Sequence, residues 1–409
     1  MTPVHVVVLA TFSRLGGAER SLLEAMRGLR DVLRFTVLLP EEGPLANAVD
    51  AAGGTARVVP WPEAVATLGE RGRRAGPLRL LRGAANIGVL RVRLEAELAR
   101  LAPDVVLTNG LKAHVLGALL RSTIDAPLVW CAREGLEDRP RSRMILRAAG
   151  RRCDGVIAIS RYVASEFRAV VPGPAPIHVV RNAIDLARVR PGLPLPPDLV
   201  KAAGELWFGV VGAVTPQKGQ DVFIDAAARI ARDVPHARFL VVGGETYRTQ
   251  AGLGFGAALR RRVHALGLGE RVIFLGERDD AQAVIANLDV LVQPSRGPEG
   301  LGRTILEAMA CGVPVVSVDR WGPRELVSDG ETGLLVAPGD PEALAGCLSR
   351  LAGDGALRAR LGGAGRRWMH ANGDPATLAR TFHEALLDCA RLALPPPGHG
   401  VQATVAAGR

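Results

Sequence analysis

Short apolar runs, largely β-branched, recur along the 409-residue chain and alternate with longer stretches whose apolar positions repeat at helical spacing. The runs at 4–10, 35–39, 55–59, 104–108, 128–132, 156–159 and 177–180 predict strands, with a helix expected over 89–101. A second series follows at 207–211, 239–242, 272–275, 290–293, 313–318 and 333–336, with closing helices expected over 341–351 and 375–392. Such alternation indicates α/β layering. Between the two series, Arg190-Pro191-Gly192-Leu193-Pro194-Leu195-Pro196-Pro197 cannot hold regular structure and suits a linker. The expected organisation is a domain at 1–189, a linker at 190–199, a second domain at 200–370 and a helix at 371–393. The proline-, glycine- and alanine-rich tail at 394–409 is expected to be disordered.

Composition narrows the class. Hydrophobic residues make up 48% of the chain, enough for two full cores, yet no run reaches the roughly 18 apolar residues of a membrane span. The apolar run at 5–10 is too short for a signal-peptide core and reads as a first buried strand. Five cysteines without a Cys-x-x-Cys pair point to reduced thiols in the cytoplasm and no structural zinc. Charge is uneven: residues 1–190 hold 28 Lys and Arg against 18 Asp and Glu, which accounts for the entire net +10. The excess concentrates at Arg71–Arg93 and Arg139–Arg152. An anionic membrane surface or merely solvated helix faces would both fit. Nucleic acid is not expected, because aromatics are only 4% and no recognition motif interleaves with the arginines.

The most informative segment is Pro294-Ser295-Arg296-Gly297-Pro298-Glu299-Gly300-Leu301-Gly302-Arg303-Thr304-Ile305-Leu306-Glu307-Ala308-Met309-Ala310-Cys311-Gly312-Val313-Pro314. A strand at 289–293 should feed a glycine-rich loop and then a helix at 304–310, ended by Gly312 and Pro314. Gly300 and Gly302 let the backbone approach a ligand closely, and the amides opening the helix favour phosphate. Glu299 repels phosphate and should accept hydrogen bonds from hydroxyls. Glu307, expected two turns into the helix, can do so at a second place. In a wholly helical segment eight residues would separate the two by about 12 Å, roughly the span of a nucleotide sugar. Lys218, in the glycine-flanked turn Gly212–Gly219 after the second domain's first strand, can meet a diphosphate as a compact, mobile charge.

This pattern resembles the Glu-x7-Glu signature of retaining glycosyltransferases of the family-four type, which have the GT-B architecture of two Rossmann-like domains facing a central cleft. The resemblance is densest over residues 210–340. It implies that ligands lie between the carboxyl ends of two sheets and that the last helix crosses back onto the first domain. It further implies a donor site of Gly16, Gly17, Lys218, Arg278, Glu299, Gly300, Leu301, Gly302, Arg303, Thr304 and Glu307. Lys218 and Glu299 are the residues assigned to catalysis. Glu299 would meet the donor sugar, Glu307 the nucleotide ribose, and backbone around Glu277 and Arg278 the base. Arg133, Glu134 and Asn182 would edge the acceptor side, with Arg133 and Glu134 touching ligand or pairing with each other. Ser160 reads as a helix cap.

Two departures from the family pattern stand out. Ala213 occupies a position usually held by arginine, for which Arg303 or Arg20 are the candidate substitutes. The cleft histidine expected after residues 128–132 is missing. The implied activity moves a hexose from a UDP- or GDP-sugar to an acceptor hydroxyl, a glycan or lipid-linked one, in cell-surface synthesis at the inner face of the membrane. No cofactor and no metal is expected, since neither an Asp-x-Asp triplet nor a paired-histidine motif occurs. A nucleotide-sugar epimerase of the same fold, or a non-catalytic partner subunit that binds sugar nucleotide or glycan, are the alternatives. A dehydrogenase is disfavoured, because no Gly-x-Gly-x-x-Gly follows the first strand.

Overall fold

The structure, a computed structural model, describes residues 3–66, 77–245 and 254–391. Two parallel sheets carry the fold. The first comprises β1 (Val4–Ala10), β2 (Leu33–Leu39), β3 (Thr55–Val58), β4 (Val105–Asn109), β5 (Leu128–Ala132), β6 (Gly155–Ala158) and β7 (Ile177–Val179), in the order β3-β2-β1-β4-β5-β6-β7. The second comprises β8 (Leu206–Val211), β9 (Ala237–Val242), β10 (Val272–Gly276), β11 (Val290–Gln293), β12 (Val315–Val318) and β13 (Leu334–Val336), in the order β10-β9-β8-β11-β12-β13. Every residue of β1, β4, β5 and β11 is buried, as expected of strands covered by helices on both faces.

Each sheet has one point where the strand order turns back, at β1/β4 and at β8/β11. Doubly wound sheets leave a crevice at the carboxyl end of such a switch. Gly16 and Gly17 follow β1, Lys218 follows β8, and Glu299 follows β11. The topology therefore places Lys218 and Glu299 at the second sheet's switch point and Gly16–Gly17 at the first sheet's.

Residue 313 was expected to begin β12, which instead starts at Val315. The Val313 amide donates to Ala308 O (2.9 Å) and so finishes the preceding helix, and Pro314 has no amide to add to the sheet. The helix Pro375–Ala390 lies against the first domain, across the helix Gly17–Leu29 and beneath β5 and β6. It comes close at Gly28, where a Cβ would stand 2.6 Å from that of Ala379, and at Gly155, where one would collide with Cys389 Sγ. Phe382, Leu386 and Cys389 of this helix are buried in the core that also holds Leu22, Met26 and Leu29.

The expected tail at 394–409 lies outside the described residues, as does residues 71–76 of the first arginine-rich run. Among the described residues, no helix is long and apolar enough to cross a membrane.

Candidate active site

β11 ends at Gln293, whose amide group fixes the loop that follows. Gln293 Oε1 accepts from Ser317 Oγ (2.7 Å), while Nε2 donates to Ser295 Oγ (3.0 Å) and to Glu299 (3.1 Å). Lys218 donates to the same Glu299 carboxylate. The carboxylate expected at the sugar end and the ammonium expected at the diphosphate thus meet directly.

The helix begins only at Arg303, after Gly302 at φ +101°, a conformation suited to glycine. Glu307 is accordingly its fifth residue, just past the first turn rather than two turns in, and the straight 12 Å rise does not apply. Ile305 is the first amide bonded back into the turn, to Gly302 O (3.1 Å). The amides of Arg303 and Thr304 are left directed out of the helix end, where an anion is favoured. Leu301 is buried, so only its backbone could serve a ligand. Glu307, also buried, accepts from Arg303 Nε (3.1 Å) and Gln282 Nε2 (3.2 Å).

Arg303 reaches across to the first domain, with one terminal nitrogen 3.7 Å from Glu24. Its other terminal nitrogen, Nη1, is buried and has no hydrogen-bond partner among the described residues. It borders an interdomain cavity of about 170 Å³ that Arg20, Glu24, Asp185, Arg188 and Gln282 also line.

The first-domain wall is equally ordered. Gly16 N donates to Glu19 (3.2 Å), and burial pushes the Glu19 carboxyl above its ordinary value, with the Arg133 charge opposing. Gly17 has open space where a Cβ would lie. Arg133 and Glu134 do not pair with each other. Arg133 instead donates to Asn109 Oδ1 (3.3 Å) and Asn182 Oδ1 (3.0 Å), and Glu134 accepts from Arg139. Arg278 is engaged by Asp198 on the linker (2.6 and 2.8 Å) and by Asp280 (2.7 and 2.8 Å), which leaves its backbone for a ligand.

Gly300 presses on the first domain, where a Cβ would collide with the Arg133 carbonyl. The Glu299 loop, Arg133, the Gly16 turn and Arg303 therefore face one crevice between the two sheets.

Residues 205–354 match the family described as Glycosyl transferases group 1, and residues 15–188 the one described as Glycosyltransferase Family 4. The chain belongs to these glycosyltransferases. A GDP-mannose-dependent alpha-(1-6)-phosphatidylinositol monomannoside mannosyltransferase of Mycobacterium tuberculosis is 31% identical over 71% of this chain and 73% of its own length. The namesake from Mycolicibacterium smegmatis is 32% identical over 56% of this chain, a stretch that spans 61% of that relative. The lipopolysaccharide core mannosyltransferase LpsB of Rhizobium meliloti is 36% identical over 47% of this chain and 54% of its own. Among solved structures, Anabaena Alr3699/HepE in complex with UDP-glucose superposes with a TM-score of 0.79 at 25% identity, covering 94% of this chain and 99% of that one. Sucrose-phosphate synthase from Thermosynechococcus elongatus shares the fold, with a TM-score of 0.73 at 21% identity over 93% and 98% of the two chains. The protein is thus a glycosyltransferase with two Rossmann-like domains, the GT-B architecture.

Sequence reasoning assigned no role to Gln293 or Gln282 in this glycosyltransferase. Gln293, the last residue of a strand, carried the only local signal, since strand ends at a switch point face the crevice.

Proposed function

We propose that this glycosyltransferase moves a hexose, mannose from GDP-mannose in the first instance, to a hydroxyl of a lipid-linked glycan, with retention of configuration and without a metal. The relatives' names favour that donor and a glycolipid acceptor. The observation that carries the reading is the convergence of Glu299, Lys218, Glu307 and the open amides of Arg303 and Thr304 on one interdomain crevice.

Hydroxyls of the sugar would donate to Glu299, and those of the ribose to Glu307. As the glycosidic bond breaks, negative charge grows on the leaving diphosphate. Lys218 and the helix-end amides would stabilise it as prearranged donors. The Gly16–Gly17 turn supplies backbone from the opposite wall. Arg133, Glu134 and Asn182 edge the acceptor side, and the leaving phosphate accepts the acceptor's proton.

The test is nucleoside diphosphate release from a panel of GDP- and UDP-sugars with and without a lipid-linked glycan acceptor. Acceptor-dependent release supports transfer. Interconversion without acceptor would indicate an epimerase, and binding without turnover a partner subunit. NMR of the product anomer tests retention, and unchanged rates in EDTA test metal independence.

The basic half of the chain is proposed to face an anionic membrane from the cytoplasmic side. The helix Pro140–Ala149 supports this reading: Met144 is 70% and Ile145 50% exposed, between Arg141, Arg147 and Arg151. It begins directly beyond Glu134 and Arg139 at the acceptor edge. Binding to vesicles containing phosphatidylglycerol should weaken as salt rises and fall further in Met144→Asp/Ile145→Asp, because it joins screened charge to apolar insertion. Absent or salt-independent binding would remove the membrane from the proposal.

A further inference from the structure

The loop that carries Glu299 is gripped from the opposite domain. Ser160, fully buried after β6, caps the helix Arg161–Arg168 by accepting from Val163 N (3.1 Å). The same hydroxyl donates to Gly300 O (2.6 Å), across the crevice. The next two amides of this helix end, those of Arg161 and Tyr162, have no acceptor of their own domain. They donate to Glu325 of the second domain at 3.0 and 2.7 Å. One domain thus supplies a helix N-terminus and the other the carboxylate that satisfies it, a favourable charge placement on the helix dipole.

The loop has little freedom between these contacts. On one side a Cβ at Gly300 would collide with the Arg133 carbonyl and come within 3.0 Å of Ile159. On the other, Gly322 N donates to Glu299 O (3.1 Å), and a Cβ at Gly322 would collide with Gly300 O. Glu137 binds Arg320 (2.5 Å) and Trp321 Nε1 (2.6 Å) alongside, which extends the same seam.

We infer that Ser160 and Glu325 are positioning residues for the transfer reaction: by registering the helix Arg161–Arg168 against the Glu299–Gly300 loop, they make the placement of Glu299 depend on contact between the two domains. Neither residue touches the donor. Ser160 acts through the Gly300 carbonyl, and Glu325 through the helix end on which Ser160 sits. A cap needs only the bond to Val163. The second bond, to the loop 140 residues along the chain, serves the crevice rather than the helix. The inference rests on the assignment of Glu299 to the donor sugar.

The test compares full-length wild type with Ser160→Ala, Ser160→Thr, Glu325→Ala and Glu325→Gln. It reads kcat, KM for the donor, nucleoside diphosphate affinity and the fraction of donor lost to hydrolysis. Ser160→Ala and Glu325→Ala should each lower kcat about tenfold, the worth of one lost polar bond expressed in the transition state. Affinity for GDP or UDP should change less than about threefold, the hydrolysed fraction should rise, and Ser160→Thr should restore kcat. Unchanged kcat in both alanine variants, or a loss that tracks nucleotide affinity, would overturn the inference. Should Ser160→Ala fail to fold, Glu325→Gln decides, and wild-type kcat there overturns it. A wild type that turns over no sugar nucleotide would count against the proposed function itself. The seam is then read by hydrogen exchange at the amides of Arg161 and Tyr162, which Glu325→Ala should accelerate about tenfold and which unchanged exchange would refute.

Discussion

Replacing Glu299 by alanine separates binding chemistry from folding. Its carboxylate is shared between Lys218 and Gln293. Neither is stranded by the change. Lys218 is 36% exposed and can be hydrated, and Gln293 keeps Ser295 and Ser317 as partners. Partly exposed ion pairs contribute about 0–1 kcal/mol, so the melting temperature should move by only a few degrees. Catalysis should suffer far more. A hydrogen bond from a sugar hydroxyl to a carboxylate is worth about 1.5–3 kcal/mol, and its loss from the transition state lowers kcat/KM by roughly 10- to 150-fold. The assay is donor-dependent release of nucleoside diphosphate in the presence of acceptor, paired with a thermal melt followed by circular dichroism. Near wild-type kcat/KM with intact folding would refute the role given to Glu299. Loss of the fold would show that the carboxylate is structural.

Lys218→Ala should lower kcat at least about tenfold with a similarly small change in melting temperature, because its ion pair with Glu299 is partly exposed; an effect on KM alone would remove the leaving group as its target. Gly28→Val should destabilise the fold by about 1–3 kcal/mol in urea unfolding, since even a Cβ would overlap Ala379 where the last helix crosses the first domain. His114, fully buried and stacked 4.8 Å from Trp130, has its pKa lowered by burial from 6.5 to about 3. Between those values the unfolded chain binds a proton that the folded one does not. Its stabilising contribution is therefore present above pH 6.5 and lost as pH falls toward 3, by up to about 1.4 kcal/mol per unit. His5 and His383 are displaced in the same direction, also chiefly by burial, so His114→Gln should reduce but not abolish the slope of stability between pH 6 and 4. An unchanged slope would show that His114 is not the group responsible.

What the chain determines by itself is what short-range chemistry encodes. Apolar runs of four to seven residues specify strands because a buried parallel strand needs continuous apolarity. The turn at Gly212–Gly219 and the loop at Gly300–Gly302 announce close backbone approach, and two carboxylates eight positions apart announce hydroxyl recognition. The family resemblance resides in the same local segments. What these signals could not carry is the choice among partners. The backbone around Arg278 is the part expected at the nucleotide base, and nothing local pointed to Asp198, 80 residues earlier on the linker, as the partner of its guanidinium. Arg133 and Glu134 are neighbours in sequence but take Asn182 and Arg139 instead, because a bound charge selects the geometry that the fold presents and not the nearest opposite charge. Ser160 read correctly as a cap, while its bond to Gly300 and the Glu325 contact to the same helix join segments more than 130 residues apart. Hydrogen bonds and ion pairs act only within a few ångströms, and the packing of two domains sets which side chains come that close.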